Sequence, residues 1–308
     1  MALIPPRYFN CVVAVGIPAN TDVQWNGSGF LFGYPDGGTN SESGAKTYQL
    51  WLVSNRHVLS GLAEVVLGFN PESGTTGINL LCPLIDKGRN IVHYHLEGDA
   101  DPVKSSVDVA VAPIRWERLA RQAINFSCFR ADEDAANFVK LKDLQLSEGD
   151  SVFVMGYPLG LTTAENDSKG VHYPIVRAGI VARLRDYFET KSTTFLIDTA
   201  NFPGNSGGPV VVKPEMVSVE GIPAQIEPLL IGLVSAYRPH LNQLSKISFA
   251  GDPISLYQTK NGTLTEDANL GELIYTMENS GLAVVQPIQA VIDLILSYPY
   301  LDIGIDDT

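Results

Sequence analysis

The chain is poor in cysteine, in basic residues and in long apolar runs, and each shortage narrows its possible functions. Its three cysteines, Cys11, Cys82 and Cys128, are odd in number and widely spaced, so neither a structural disulfide nor a cysteine-bound metal is expected. The 21 basic residues are outnumbered by 34 acidic ones. The resulting formal charge of −13 disfavours nucleic acid or an anionic membrane surface as the main partner.

Membrane insertion and secretion also find no support in the sequence. No apolar run approaches the roughly 20 residues that a helix needs to cross a bilayer. Residues 1–7 are not the basic segment, apolar segment and small-residue cleavage site of a signal peptide. We therefore expect a cytoplasmic protein.

Glycine and proline, in contrast, are abundant. The 28 glycines and 19 prolines predict many turns, while 45% hydrophobic and 18% charged residues are typical of a globular protein. A length of 308 residues allows one large all-β unit or two modest domains. A β-rich fold is favoured.

Short apolar segments bounded by turn residues recur along the chain and predict strands. In the first half these strands are predicted at 8–17, 29–34, 48–54, 63–69, 76–81, 90–96 and 106–114, with a turn at 25–29 and a loop at 35–46. In the second half they are predicted at 151–156, 171–184, 193–199, 210–213, 229–235 and 281–285. Because no long amphipathic helix interrupts the strands, an antiparallel barrel or sandwich is expected.

Three segments depart from this β pattern. Residues 115–147 lose the alternation, carry many charges and are predicted to connect two halves, with a helical turn. Residues 238–277 exceed what a connection between two strands needs, so they are expected to be functional or disordered and could form a lid. After Pro287 a core helix is predicted from an apolar stripe at helical spacing: Ile288, Val291, Ile292, Ile295 and Leu296.

The most informative stretch is the Gly/Pro/Asn cluster at 201–209, which lies between two apolar strands. A serine that attacks a carbonyl needs an exposed hydroxyl and nearby N–H groups that point at the developing oxyanion. Glycines keep the surroundings of both clear. Ser206 is thus the candidate nucleophile in an oxyanion loop of Gly204, Asn205 and Ser206, with the N–H groups of Gly204 and Ser206 as donors. The alternative is a hairpin loop rich in turn formers.

A serine nucleophile requires a histidine and a carboxylate. His57 follows a predicted strand, a position that suits a general base, although a histidine there could also cap a sheet edge. Asp108 interrupts an apolar run, and a carboxylate there is costly to bury unless a group such as an imidazole N–H pairs with it. Asp99 and Asp101 compete for this role, but they lie in a polar loop where solvated acids are ordinary.

The remaining histidines carry no comparable motif. His93 and His95 share one face of a predicted strand and could seat a metal, but no third ligand accompanies them. An exposed sheet face is therefore the preferred interpretation. His172 and His240 lie in β or loop context without a supporting motif. Neither a metal nor an organic cofactor is expected.

With the order His57, Asp108, Ser206, the chain resembles the chymotrypsin-like serine proteases, most closely the prokaryotic, bacterial HtrA-type branch. The resemblance spans roughly residues 8–297, and its motifs lie at 27–30, 52–58, 108–111, 149–160, 178–181 and the Ser206 loop. It implies an all-β fold of two antiparallel six-stranded barrels with a C-terminal helix. The implied parts are a barrel at 1–118, a connection at 119–147, a barrel at 148–285, and a helix and tail at 286–308.

The same resemblance implies a serine endopeptidase with an acyl-enzyme intermediate. Its specificity pocket would involve Ala200, Asn201, Ser235, Ala236, Tyr237, Gly281 and Ala283. Ala200 stands where trypsin relatives carry an acid, and Val234 where glutamyl-specific relatives carry a histidine. A small or medium aliphatic residue is therefore expected before the cleaved bond. The alternatives are a catalytically silent protein-binding module with the same fold, and an esterase acting on small acyl esters.

The sequence also departs from its relatives. We expect neither a PDZ-like domain after the predicted helix nor the long N-terminal extension that some relatives use to trimerise, and the oligomeric state is left open. Asn205 replaces the aspartate that pairs with a new amino terminus in secreted trypsin relatives. We therefore expect that no N-terminal cleavage is needed, and that local hydrogen bonds, or an activating protein or peptide acting through loops 158–170 and 238–277, order the oxyanion loop.

Overall fold

The computed structural model describes residues 4–20, 22–41, 43–95, 107–162, 170–190, 192–214, 227–243, 245–247, 256–258, 264–266 and 275–298. The strands of its first half are β1 (Val12–Ala19), β2 (Asp22–Thr39), β3 (Lys46–Ser54), β4 (Glu64–Pro71), β5 (Ile78–Pro83), β6 (Ile85–Asp86), β7 (Arg89–Asn90), β8 (His93–Tyr94), β9 (Ala110–Ile114), β10 (Ile124–Asn125) and β11 (Phe129–Arg130). Those of the second half are β12 (Ser151–Gly156), β13 (Ile175–Arg183), β14 (Phe195–Asp198), β15 (Pro209–Val212), β16 (Leu230–Gln243), β17 (Ser245–Ile247), β18 (Leu256–Gln258), β19 (Leu264–Glu266) and β20 (Tyr275–Pro287).

The helices of the described residues are short. They are α1 (Pro6–Phe9), α2 (Arg56–Leu59), α3 (Trp116–Arg121), α4 (Phe138–Asp143), α5 (Arg185–Glu189) and α6 (Ile288–Ser297), with a single 3-10 turn at Pro158–Gly160. Within the part of the chain that is described, none of them has the length and apolar character that crossing a bilayer demands.

The C-terminal barrel is closed, as predicted. Its six antiparallel strands follow one another in the order β12-β13-β14-β20-β16-β15. Strand β15 is buried along its whole length. Val210 and Val212 face the barrel interior and Val211 faces a second core, which also contains residues of the N-terminal sheet and of α6. Apolar burial on both faces explains why this strand is a continuous apolar run.

The N-terminal half differs from the closed six-stranded barrel that was predicted. Its strands form a nine-stranded sheet in the order β10-β4-β1-β2-β3-β9-β8, with β5 added to β4 and β11 to β2. The β11–β2 pairing is parallel. Among the described residues this sheet does not close: β10 and β8 stand at the two ends of its strand order, and β6 pairs only with β7.

The predicted turn at 25–29 is wrong. These residues lie inside β2, and the hairpin instead turns near Asn20, which has a φ of +45°. The β1–β2 register shifts between Val15 and Gly16, so the polar and glycine-rich segment forms part of a bulged strand. The predicted loop at 35–46 is also too long, because β2 and β3 still pair at Thr39 and Lys46.

The three non-β segments were predicted with mixed success. The connection contains α3 and α4, but β10 and β11 pair with the N-terminal sheet. Helix α6 begins directly after Pro287 as predicted, yet it buries Leu294 and leaves Leu296 59% exposed, so Leu296 was wrongly included in the stripe and Leu294 was missed. In the insertion, β16 and β20 continue as a ribbon that pairs as far as Gln243 and Tyr275.

A buried ionic cluster joins the N-terminal helix to the connection. Asp134, with 5% of its side chain exposed, accepts two hydrogen bonds from the Arg7 guanidinium and further ones from the backbone N–H and Nε of Arg130. Burial alone would raise the pKa of Asp134, but the hydrogen bonds from Arg7 and Arg130 outweigh it and hold the pKa below its ordinary value. Tyr8 extends the contact to the second half by donating to the Pro228 carbonyl at 2.7 Å.

We expect Asp134→Asn to lower the free energy of unfolding by roughly 2 to 4 kcal/mol, because it leaves two guanidinium groups without their buried anion. Urea denaturation at pH 7 measures the loss. Since the folded pKa is depressed, the carboxylate stabilises the fold above the unfolded pKa of about 4 and ceases to do so as the pH falls through the folded pKa. The difference in the free energy of unfolding between the variant and the wild type should therefore narrow in that pH range.

The matched control is Asp132→Asn, which removes a carboxylate from the same connection whose partner, Lys46, is exposed. Solvent-exposed ion pairs contribute little, so this variant should change stability much less. Equal losses in both variants would contradict the assignment of Asp134 as the buried anchor.

Candidate active site

Each carboxylate oxygen of Asp108 accepts a hydrogen bond from a different group of His57. Its Oδ2 accepts a hydrogen bond from the ring Nδ1 at 2.6 Å, and its Oδ1 accepts one from the His57 backbone N–H at 3.0 Å. A proton on Nδ1 leaves Nε2 as the acceptor. The side chain of His57 is about half exposed, at 49%. The pair therefore presents a solvent-accessible basic nitrogen of fixed tautomer.

The position of Asp108 follows from local hydrogen bonding. It was predicted inside a strand, but β9 begins only at Ala110. The backbone carbonyl of Asp108 accepts a hydrogen bond from Asn55 Nδ2 at 2.7 Å. Asn55 stands at the N-cap of α2, but its side chain does not cap the helix and instead bonds to Asp108 through Nδ2. Asp108 supplies the missing cap with its own carboxylate.

The segment before Ser206 has the arrangement of a type II turn, with proline second and glycine third. The Asn205 N–H donates to the Phe202 carbonyl at 3.1 Å, and Gly204 has a φ of +95°. A Cβ on Gly204 would lie 2.5 Å from the Tyr157 carbonyl, so no other residue fits there. Asn205 was predicted as part of the oxyanion loop, and its backbone N–H is occupied by this turn.

Four consecutive carbonyls of the loop accept hydrogen bonds. Those of Pro203, Gly204, Asn205 and Ser206 accept from Leu159 N–H (2.7 Å), Ser28 Oγ (2.6 Å), Gly208 N–H (2.8 Å) and Ser28 N–H (2.8 Å), respectively. In contrast, the N–H groups of Gly204 and Ser206 have no acceptor among the described residues. Two such N–H groups flanking a serine can bind a negatively charged oxygen.

The N-terminal sheet approaches this loop closely. A Cβ on Gly207 would lie 2.0 Å from the Ser28 carbonyl and 2.4 Å from Ser54 Oγ. Ser54 ends the strand that precedes His57, so the segments carrying His57 and Ser206 pack directly against each other. The Ser206 hydroxyl donates to the Ser235 carbonyl at 3.4 Å, and in the described part of the chain no hydrogen bond joins it to the His57 ring.

The predicted pocket segments also lie together. Thr199 N–H donates to the Gly281 carbonyl at 2.9 Å, and Tyr237 pairs with Ala283 across β16 and β20. Asn201 is only 3% exposed, and its Nδ2 lies 3.4 Å from the Ala236 carbonyl.

The pocket candidates differ in exposure. Ala200 and Ala236 are exposed, Tyr237 and Gly281 are partly exposed, and Ser235 is buried. Val234 and Ala283 are fully buried in the core of the C-terminal barrel.

The structure changes the interpretation of two other histidines. His93 was expected on an exposed sheet face, but it is buried, and its ring stacks 3.8 Å from that of Tyr298 next to Trp51. His172 is buried between Trp25 and Asn79. Burial lowers the pKa of both. Asp99 and Asp101 lie outside the described residues, as does the side chain of His240.

Sequence reasoning missed two residues that hold the site. Asn55 fixes the backbone of Asp108, and Ser28 contacts the nucleophile loop through both its backbone and its side chain. Ser28 and Asn55 lay within the motifs noted at 27–30 and 52–58, but the partners of Ser28 in the Ser206 loop are more than 170 residues away in sequence. Membership of these two motifs was the signal in the sequence that could have indicated them.

The chain matches the family described as trypsin-like peptidase domain over residues 27–215, more than half of its length. No curated protein matches it.

Among solved structures, the apo form of the MamO protease domain from Magnetospirillum magneticum shares 15% identity over 94% of this chain and 97% of that one, with a TM-score of 0.41. An inactive mutant form of Rv3671c from M. tuberculosis H37Rv shares 15% identity over 95% and 93%, with a TM-score of 0.39.

These structural similarities are weak, and the assignment rests on the family match. That match begins at the motif containing Ser28 and includes His57, Asp108 and Ser206. This chain belongs to the family of trypsin-like peptidase domains.

Proposed function

We propose that this chain is an active serine endopeptidase in which Ser206, His57 and Asp108 act as a catalytic triad. The main support is the pair of hydrogen bonds that the Asp108 carboxylate accepts from His57, one from the ring Nδ1 at 2.6 Å and one from the backbone N–H at 3.0 Å. This arrangement leaves Nε2 free to accept a proton. The motif set favours the HtrA-type branch within the family.

In the proposed mechanism, Ser206 Oγ attacks the scissile carbonyl while His57 Nε2 takes its proton. The carbonyl π electrons move to the oxygen, which the N–H groups of Gly204 and Ser206 bind. His57 then protonates the leaving amine as the tetrahedral intermediate collapses to the acyl-enzyme. Water, deprotonated by His57, hydrolyses the ester and restores Ser206. Asp108 stabilises the imidazolium throughout.

One observation favours a catalytically silent binding module instead. The Ser206 hydroxyl is bonded to the Ser235 carbonyl rather than to His57. Free enzymes often show long or misaligned catalytic hydrogen bonds that tighten when substrate binds, so the same contact is also expected of an active enzyme without substrate. A fluorophosphonate probe decides between them, because it reacts only with an activated serine.

We expect His57→Ala, Asp108→Asn and Ser206→Ala each to lower kcat by roughly 10⁴-fold or more while leaving the protein folded. Peptide hydrolysis, fluorophosphonate labelling and circular dichroism measure these effects. Because the three residues act as one unit, the double variant His57→Ala/Ser206→Ala should lose little more than either single variant.

The control is Ser280→Ala, which removes an exposed hydroxyl bonded to the Arg238 carbonyl and should retain activity. If the fold-losses of kcat in the two single variants multiplied in the double variant, the triad assignment would be contradicted. Absence of labelling in the wild type under every condition would favour the binding module.

For specificity, we expect cleavage after Ala, Val or similar aliphatic residues, because the predicted pocket residues carry no charge. One acid lies near them: Asp198 is exposed, and its Oδ1 is 3.4 Å from where a Cβ on Gly281 would stand. An unbiased peptide library measures the preference.

Dominant cleavage after Lys or Arg would contradict this expectation. Loss of that cleavage in Asp198→Asn would then identify the responsible acid. Hydrolysis of small acyl esters without cleavage of any peptide would instead indicate an esterase.

The oxyanion loop has its own means of adopting a reactive conformation. Asn205 is 1% exposed, and its neutral amide cannot form the ion pair that a newly cut amino terminus makes in secreted trypsin relatives. Hydrogen bonds to Leu159, Ser28 and Gly208 hold the loop carbonyls instead. A protein or peptide partner would act through loops 158–170 and 238–277 by strengthening these bonds.

We therefore expect the chain beginning at Met1 to react at Ser206 without N-terminal cleavage. Intact mass spectrometry of fluorophosphonate-treated protein checks this, with Ser206→Ala as the unlabelled control. Label confined to a species shortened at its N-terminus, with the uncut chain inert even in the presence of peptides, would contradict the expectation.

A further inference from the structure

Ser28 reaches across the interface between the two halves of the molecule and makes a set of buried contacts with the Ser206 loop. It lies in β2, where it pairs with Ala14 of β1, and it is completely buried. Its backbone N–H donates to the Ser206 carbonyl at 2.8 Å. Its Oγ lies 2.6 Å from the Gly204 carbonyl oxygen and 2.9 Å from the Tyr157 backbone nitrogen.

The direction of the hydroxyl proton follows from these partners. A backbone N–H can only donate and a carbonyl oxygen can only accept. The hydroxyl of Ser28 must therefore accept from Tyr157 and donate to Gly204. Both bonds are buried, so the hydroxyl has no competing water and a single orientation.

Ser28 is itself held in place. Its carbonyl accepts a hydrogen bond from Ser54 Oγ at 2.7 Å, and Ser54 is also completely buried. The Ser28 Oγ is packed so closely against Gly156 that a Cβ on Gly156 would lie 2.8 Å from it. A rigid support of this kind limits the movement of whatever Ser28 holds.

Ser28 holds the two peptide groups that flank the Asn205–Ser206 peptide, whose N–H is one of the two candidate oxyanion donors. The Gly204 carbonyl belongs to the peptide that follows the Gly204 Cα, and the Ser206 carbonyl to the peptide that follows the Ser206 Cα. The Pro203–Gly204 peptide, which carries the other candidate donor N–H, is held by Leu159 through the Pro203 carbonyl at 2.7 Å. Because Gly204 is a glycine with a φ of +95°, loss of the Ser28 hydroxyl bond leaves the Gly204–Asn205 peptide held only by the Asn205 N–H bond to the Phe202 carbonyl, and the peptide can tilt.

We propose that Ser28 is a positioning residue for catalysis, whose hydroxyl orients the Gly204–Asn205 peptide so that the N–H groups of Gly204 and Ser206 converge on the oxyanion. This role rests on the proposed peptidase function. It acts on the transition state, in which the oxyanion forms, and much less on the bound substrate.

The test is Ser28→Ala, which removes the hydroxyl and keeps both backbone contacts. With a peptide ester as substrate, we expect kcat to fall by about 10- to 100-fold while KM stays within about threefold, since losing a whole oxyanion donor costs about 10²–10³-fold. The folded fraction is determined by circular dichroism, and stability by urea denaturation.

The matched control is Tyr8→Phe, which also deletes a buried hydroxyl that bonds to the other half of the molecule, at the Pro228 carbonyl. It leaves the nucleophile loop untouched and should keep kcat within about twofold, even if stability falls. If Ser28→Ala does not fold, Ser28→Cys replaces it, because a thiol is a much weaker donor. The same loss of kcat at unchanged KM is expected.

A wild-type kcat in the folded Ser28 variant overturns this proposal alone, as does an equal loss in Tyr8→Phe or a change confined to KM. A wild-type protein that neither hydrolyses the ester nor labels at Ser206 overturns the proposed function and this role with it.

Discussion

The close contact between the N-terminal sheet and the Ser206 loop is the constraint on which the site depends. It exists because Gly207 has no side chain, since a Cβ there would lie 2.0 Å from the Ser28 carbonyl. With the two halves in contact at that point, Ser28 and Ser54 form a buried chain of hydrogen bonds that ends on the carbonyls of the loop. His57 follows Ser54 by three residues, so the same contact brings the base and the serine to one interface.

Hydrogen bonding is divided unequally along the loop, and this division gives the site its chemistry. Buried carbonyls are normally paired, and here four in succession accept hydrogen bonds from Leu159, Ser28 and Gly208. The N–H groups of Gly204 and Ser206 are left without acceptors among the described residues. In the proposed mechanism, a loop in this state would bind the oxyanion with little reorganisation.

The two halves are also joined far from the loop. Asp134 binds Arg7 and Arg130, and Tyr8 bonds to the Pro228 carbonyl. Helix α6 buries Ile288, Val291 and Ile295 in the core that the halves share. These contacts set the relative position of the two halves. The Ser28 hydrogen bonds then position only the Ser206 loop. The ionic cluster also binds the N-terminal helix, so the amino-terminal segment stabilises the fold by packing against the rest of the chain.

What the sequence by itself determined was chemistry that is local in the chain. Pro203 and Gly204 encode a tight turn through their own backbone preferences, the apolar run at 210–212 encodes a buried strand, and the stripe after Pro287 encodes a helix. His57, Asp108 and Ser206 could be predicted because an acid within an apolar run and a glycine-flanked serine are unusual in any local context. The structure brings the first two into contact, and the family match covers all three.

Only the tertiary structure decided how distant segments meet. Residues 25–29 were predicted as a turn because they are rich in turn formers. In the structure they lie in a bulged strand, and this bulge depends on pairing with β1. The open N-terminal sheet and the ribbon of β16 and β20 depend on which strands find partners, and local preference does not encode this. The burial of His93 depends on Tyr298, and the role of Ser28 depends on Gly204 and Tyr157. For His93 and Ser28 the partners lie more than 120 positions away in the sequence, so the environment of each side chain is a property of the packed molecule.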